Sequence, residues 1–202
     1  ARGIAFGDVN ADGLFEFFFS RPMLSGVQGF DALSATMLPN FPITDPSGQF
    51  GFSAAAPNLC DISDDPGIEI VSGAANMSFV PDGELFAFNF SGNVLPDFPS
   101  SLLFHRTLTA GCAVNDLDGD GDTEICCGSE NYEVAPNPPS TVYCWDTGYP
   151  YNLDNVDWAM DGFDLGHTGR WRRLYHISKS SSQLAVSSCQ GQGNPCYLPP
   201  DG

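Results

Sequence analysis

The stretch Asp116-Leu117-Asp118-Gly119-Asp120-Gly121-Asp122-Thr123-Glu124 decides how the chain is read. Side-chain oxygens stand at positions one, three, five and nine, and a glycine stands at six. The same layout occurs twice more. Asp8-Val9-Asn10-Ala11-Asp12-Gly13-Leu14-Phe15-Glu16 precedes it, and so does Asp61-Ile62-Ser63-Asp64-Asp65-Pro66-Gly67-Ile68-Glu69. The three starts are 53 and 55 residues apart, which makes this an internal repeat.

A short loop with oxygens on alternate residues wraps a hard cation. Calcium takes about six to eight oxygen ligands, and glycine at position six permits the sharp turn. The expected ligands are Asp116, Asp118, Asp120 and Glu124 in the third loop, with Asp122 offering its carbonyl. In the first they are Asp8, Asn10, Asp12 and Glu16, with the Leu14 carbonyl. In the second they are Asp61, Ser63, Asp65 and Glu69; Ser63 replaces a carboxylate there and Pro66-Gly67 displaces the glycine. The bland alternative is an acidic turn closed by its own Asx hydrogen bonds. An EF-hand is excluded because position twelve is Phe19, Ser72 or Cys127 rather than Glu.

The flanks are strand-like: Gly3–Phe6 and Phe15–Phe19, Ile68–Ser72, and Cys112–Val114 with Glu124–Cys127. Each loop therefore reads as a hairpin connection. A third apolar segment follows in each repeat, at Gly29–Leu33, Leu85–Phe90 and Thr141–Trp145. The Leu85–Phe90 run alternates poorly and is expected to be buried on both faces. Leu38-Pro-Asn-Phe-Pro42, Leu95-Pro-Asp-Phe-Pro99 and Tyr149-Pro-Tyr151 are expected as proline-bearing edge strands. Four short antiparallel strands per repeat describe an all-β chain of propeller-type blades.

These residues resemble the FG-GAP/VCBS repeat, whose propellers occur in integrin α-subunits and in secreted microbial proteins. The resemblance rests on Asp-x-Asp-x-Asp-Gly-x-x-Glu, the aromatic third strand and the Leu-Pro-x-Phe-Pro ending. Trp158 to Arg170 is similar to a segment that often closes such propellers, and it implies that the blades end near Arg173. Blades are expected at about 1–52, 53–107 and 108–173. The Ser-, Gly- and Pro-rich residues 174–202 are expected to form an irregular extension. Three blades are fewer than the four to eight of a closed propeller. Either further blades or a second copy, stacked head to tail and able to propagate into a fibre, is expected to cover the open faces.

Composition narrows the function. The chain has 202 residues, with 42% hydrophobic residues and a formal net charge of -18. The apolar share argues for a folded core. The acidic balance, 19 Asp and 6 Glu against 7 Lys and Arg, disfavours nucleic acid. No apolar run reaches the ~20 residues of a membrane span. His105, His167 and His176 stand alone, and neither a nucleophile elbow nor a phosphate loop occurs. The carboxylates that stand out belong to the loops. The expectation is a calcium-stabilised extracellular structural or binding module with a protein or glycan partner, not an enzyme. The competing reading is the non-catalytic scaffold of a secreted hydrolase. Arg170, Arg172 and Arg173 form the one basic cluster of the sequence.

Seven cysteines without a Cys-x-x-Cys pair suit an oxidising compartment. The expected disulfides are Cys189–Cys196, which closes a short loop, Cys127–Cys144 between neighbouring strands, and Cys60–Cys112 across a blade contact. Cys126 and Cys127 face opposite ways, so one of them meets Cys144. Asn76-Met-Ser78 and Asn89-Phe-Ser91 have the form of N-glycosylation sequons, and Asn89 is expected to be shielded.

Overall fold

A computed structural model describes residues 3–21, 26–52, 55–76, 83–102, 111–128, 142–152 and 156–159. Chain contacts divide at Arg172/Arg173, and every described residue lies in the first unit. The 174–202 extension, the Cys189–Cys196 pair and the arginine cluster lie outside the described residues.

All regular structure among the described residues is β. The order is β1 (Ala5–Gly7), β2 (Glu16–Arg21), β3 (Gly26–Asp31), β4 (Phe50–Phe52), β5 (Asn58–Cys60), β6 (Glu69–Asn76), β7 (Gly83–Phe88), β8 (Ser100–Leu102), β9 (Ala113–Asn115), β10 (Asp122–Gly128), β11 (Val142–Pro150) and β12 (Val156–Trp158). Three antiparallel sheets result. The first runs β1-β2-β3 and the third β9-β10-β11; the middle one runs β12-β5-β6-β7-β8, with β4 also paired to β6. Each acidic loop joins the first two strands of its repeat, as the hairpin reading expects.

Period-two patterning orients the strands. In β2, Glu16, Phe18 and Ser20 point inward while Phe17 and Phe19 are half-buried. Leu85, Phe86, Ala87 and Phe88 of β7 are all buried, which suits a strand covered on both faces. One core lies between the first and middle sheets, where Phe18, Val27 and Phe41 meet Leu59, Ile70 and Phe86. A second lies between the middle and third sheets, where Val71, Leu85 and Ala87 meet Val114, Ile125 and Cys127. The middle sheet is thus the filling between two others.

The first strands approach one another around β12. β12 pairs with β5, and the Val114 N–H of β9 donates to the Ala159 carbonyl at 2.9 Å. The Asp8 N–H that follows β1 donates to Asp157 Oδ2 at 2.9 Å. Gly7 makes this approach feasible: a Cβ there would stand 2.8 Å from both Asp157 Oδ2 and Leu59 Cδ1.

The fourth strands differ from expectation. Among the described residues the first and third sheets have three strands, and the Leu-Pro-x-Phe-Pro segments are turns rather than edge strands. Phe41 N–H donates to the Leu38 carbonyl at 3.3 Å, and Phe98 N–H to that of Leu95 at 3.2 Å. Phe41-Pro42 and Phe98-Pro99 are both cis, and Asn40 and Asp97 both have φ near +66° (67° and 66°). Two prolines in each segment remove the donors that a ladder needs. Pairing resumes just beyond, at the Val27–Ile43 bridge and at β8. Tyr149-Pro150 forms the end of β11 instead of a separate edge strand, with Pro150 opposite Asp122.

Two disulfides correct the expected pairings. Cys126 sits directly opposite Cys144 in the β10/β11 register, so Cys126, not Cys127, bonds Cys144. Cys127 projects to the buried face and bonds Cys112, the residue just before the neighbouring strand β9, with Cα atoms 4.4 Å apart. Cys60 is consequently a buried free thiol rather than the partner of Cys112.

Candidate metal centre

The three loops share one anchor, which is the glutamate at position nine. Glu16, Glu69 and Glu124 are 1%, 1% and 6% exposed. In each, Oε2 accepts the backbone N–H of position two: Val9 at 3.1 Å, Ile62 at 2.7 Å and Leu117 at 2.5 Å. The strand that follows the loop fixes the glutamate, and its carboxylate in turn fixes the start of the loop. The repeat is therefore legible in hydrogen bonds as well as in spacing.

What the second oxygen of each glutamate meets separates the loops. In the second loop Ser63 Oγ donates to Glu69 Oε1 at 2.7 Å and accepts the Asp65 N–H at 3.1 Å. Asp65 Oδ2 also accepts from Asn89 Nδ2 at 3.0 Å. This loop closes with its own donors. The Ile68 N–H ties it to the Val9 carbonyl of the first loop at 3.0 Å. Gly67, at φ +113°, allows this crossing, because a Cβ would collide with that carbonyl.

The first loop is intermediate. Asp8 accepts from the Asp12 and Gly13 N–H groups, and Asn10 Nδ2 donates to Asp12 Oδ2 at 3.0 Å. Asp12 Oδ1 accepts the Leu14 N–H at 2.8 Å. Burial raises the Glu16 carboxyl to a pKa of about 7; the Val9 hydrogen bond opposes this, and the charges of Asp12, Asp8 and Asp31 add to it.

The third loop brings acids together. One oxygen each of Asp116, Asp118 and Asp120 lies within 4.8 Å of the others, and this is the one such acidic group among the described residues. Backbone N–H groups hold the set open: Gly119 to Asp116 Oδ1 at 2.7 Å, Asp120 to Asp118 Oδ1 at 3.1 Å, and Asp122 to Asp120 Oδ1 at 2.9 Å. Positive φ at Gly119 (85°) and Gly121 (99°) gives the curl. Desolvation raises the Asp122 pKa, and the charges of Asp120, Asp146, Asp116 and Asp118 add to the rise. Glu124 Oε1 is buried without a hydrogen-bond partner. Three close carboxylates, and in the same loop a buried carboxylate oxygen left unpartnered, fit a divalent cation bound by hard oxygen donors.

No family model, curated protein or solved structure matches the chain.

Of the five donors that the sequence reading takes from this third loop, the structure brings Asp116, Asp118 and Asp120 close together, while Asp122 and Glu124 lie in β10. The sequence reading misses Asp146, which stands opposite Glu124 in the β10/β11 register and adds negative potential there. Only strand register brings Asp146 near, so the motif carries no signal for it. Of the sequons, Asn76 ends β6, and Asn89 is half-buried in the turn after β7.

Proposed function

We propose that the chain is a calcium-stabilised module of propeller-type blades that works as a structural or binding element outside the cell. The observation that carries this is the third loop, which has three mutually close carboxylates and, at its ninth position, a buried Glu124 oxygen without a partner. Calcium there would be held by Asp116, Asp118, Asp120 and Glu124, and it would neutralise carboxylates that otherwise repel one another. Face-to-face packing of three sheets through two cores supports the blade reading, as does the resemblance to FG-GAP/VCBS repeats. The two disulfides point to an oxidising environment. No helix among the described residues is long and apolar enough to cross a membrane.

Thermal melting with calcium, with magnesium and with chelator tests the reading. Calcium at about 100 times its dissociation constant should add about 2.7 kcal/mol by mass action. A melting temperature that chelation leaves unchanged would show that the loops are merely acidic turns.

A further inference from the structure

We propose that the cleft between the middle and third sheets binds an arginine side chain presented by a basic peptide segment of a partner protein. The cleft holds about 400 Å³. The second loop forms one wall with Asp64 and Asp65. The Leu95–Phe98 turn supplies Asp97 and Phe98, and β11 supplies Trp145, Asp146 and Tyr149. This site shares no residue with the Asp116–Glu124 loop.

The chemistry of the lining selects the occupant. All four aspartates are exposed, and none of the described lining residues is basic. The two aliphatic hydroxyls are already committed. Ser63 Oγ donates to Glu69, and Thr147 Oγ1 donates to the Thr123 carbonyl at 2.7 Å. Carboxylate acceptors therefore outnumber side-chain donors, although Asp65 Oδ2 already accepts from Asn89 Nδ2 and Asp146 Oδ1 from the Gly148 N–H. A neutral sugar needs donors for its oxygens as well as acceptors for its hydroxyls, and this lining is short of donors. A cation with many N–H groups and no acceptor suits it better.

Size and shape then separate a metal from an organic cation. These aspartates form no group of three acids close enough to share one ion; among the described residues only Asp116, Asp118 and Asp120 do. Spread carboxylates match a spread charge. The guanidinium is planar, forks onto carboxylates and stacks on aromatic faces, whereas an ammonium is a compact point charge. Trp145 supplies the aromatic surface. Its ring stacks with Tyr143 at 5.9 Å between centroids and 22° between planes, which holds it in place. The four carboxylates also project from three separate chain segments held by sheet pairing and core packing, so the site is formed before the ligand arrives.

The inference names a partner class for the binding-module reading; Asp146 also borders the third loop, so every titration is run at saturating calcium and the calcium-induced melting shift is recorded for each variant. Peptide affinity and the calcium-induced melting shift are separate readouts, so either fails without the other. The test is calorimetric titration of the full 202-residue chain, in calcium, with a blocked tetra-arginine peptide and its citrulline counterpart. Citrulline keeps the shape and loses the charge. The citrulline peptide should bind at least about tenfold more weakly, and so should the arginine peptide to Asp146→Asn or to Trp145→Leu. Asp31→Asn removes one half-buried charge at the end of β3, outside the cleft, and should leave the affinity unchanged. Equal weakening by Asp31→Asn and Asp146→Asn, or full affinity in Trp145→Leu, would overturn the proposal in favour of diffuse attraction to an acidic surface. Equal affinity for a tetra-lysine peptide would overturn the assignment to a guanidinium.

Discussion

Glutamates at equivalent positions of the three loops face different chemistry, and that difference is measurable. Glu69 has both oxygens satisfied by Ile62 and Ser63, whereas Glu124 has one oxygen satisfied and one without a partner. Glu124→Gln should therefore abolish the calcium-induced stabilisation of the third loop, about 2.7 kcal/mol at a hundredfold excess over the dissociation constant. Glu69→Gln should leave most of the calcium response intact and instead lower stability by about 1–3 kcal/mol, the cost of a disturbed buried hydrogen bond. Denaturant melts of both variants with and without calcium check this. Glu16 gives a pH prediction. Its folded pKa of about 7 lies above the ordinary glutamate value of 4.5, so between those values the folded state binds the extra proton. In chelator, stability should fall as pH rises from about 4.5 through about 7. Glu16→Gln should flatten that part of the profile, as measured by denaturant midpoints at fixed ionic strength.

At the scale of strands, the third sheet is held on both faces of β10. Cys127 ties it to Cys112 before β9, and Cys126 ties it to Cys144 of β11. The closed segments span 15 and 18 residues, so chain entropy assigns each bond about 3 kcal/mol. Peptide mapping of the native chain should recover Cys112–Cys127 and Cys126–Cys144. Cys60 should resist alkylation until the chain unfolds, because burial pushes its thiol pKa far up and withholds the thiolate, with the charges of Glu69 and Asp61 adding to the rise. Rapid labelling of Cys60 in native buffer would contradict its place in the core. The sequence shows that neighbouring cysteines face opposite ways, but not which one meets Cys144. That depends on the β10/β11 register, and a shift of one residue exchanges the two faces.

Across the whole molecule, sheets stack through equivalent faces until the first sheet. Ile70 and Ile125 occupy the position after the loop glutamate, and each packs toward the preceding sheet. Phe17 is their counterpart in the first sheet. It stacks with Phe30 at 5.1 Å, and Phe30 stacks with Phe19 at 5.9 Å. Phe6 extends this aromatic row and remains 41% exposed. We propose that another blade-like sheet, from a second copy stacked head to tail, covers the row. Light scattering should show mass rising with concentration, and Phe6→Asn with Phe19→Asn should suppress the rise. A monomer at every concentration would remove this reading.

Much of the local structure follows from sequence alone. The loop spacing, the glycines at φ > 0 and the alternating strands flanking each loop are short-range properties, and local sterics and hydrogen bonds determine them. The Leu-Pro-x-Phe-Pro segments form turns rather than edge strands because strand-like apolar content competes there with two missing donors, and the donors decide. Long-range facts needed the tertiary structure. Pairing register selected Cys126 over Cys127, face-to-face packing made the middle sheet the centre of two cores, and β12 was drawn beside β5 from almost a hundred residues away. The cleft belongs to the same class: Asp65, Asp97 and Asp146 are ordinary turn and strand acids in sequence, and only sheet packing gathers them beside Trp145. Spacing along a chain reports what a loop can hold; which loops, strands and acids meet is determined by the free energy of burying sheet faces against one another.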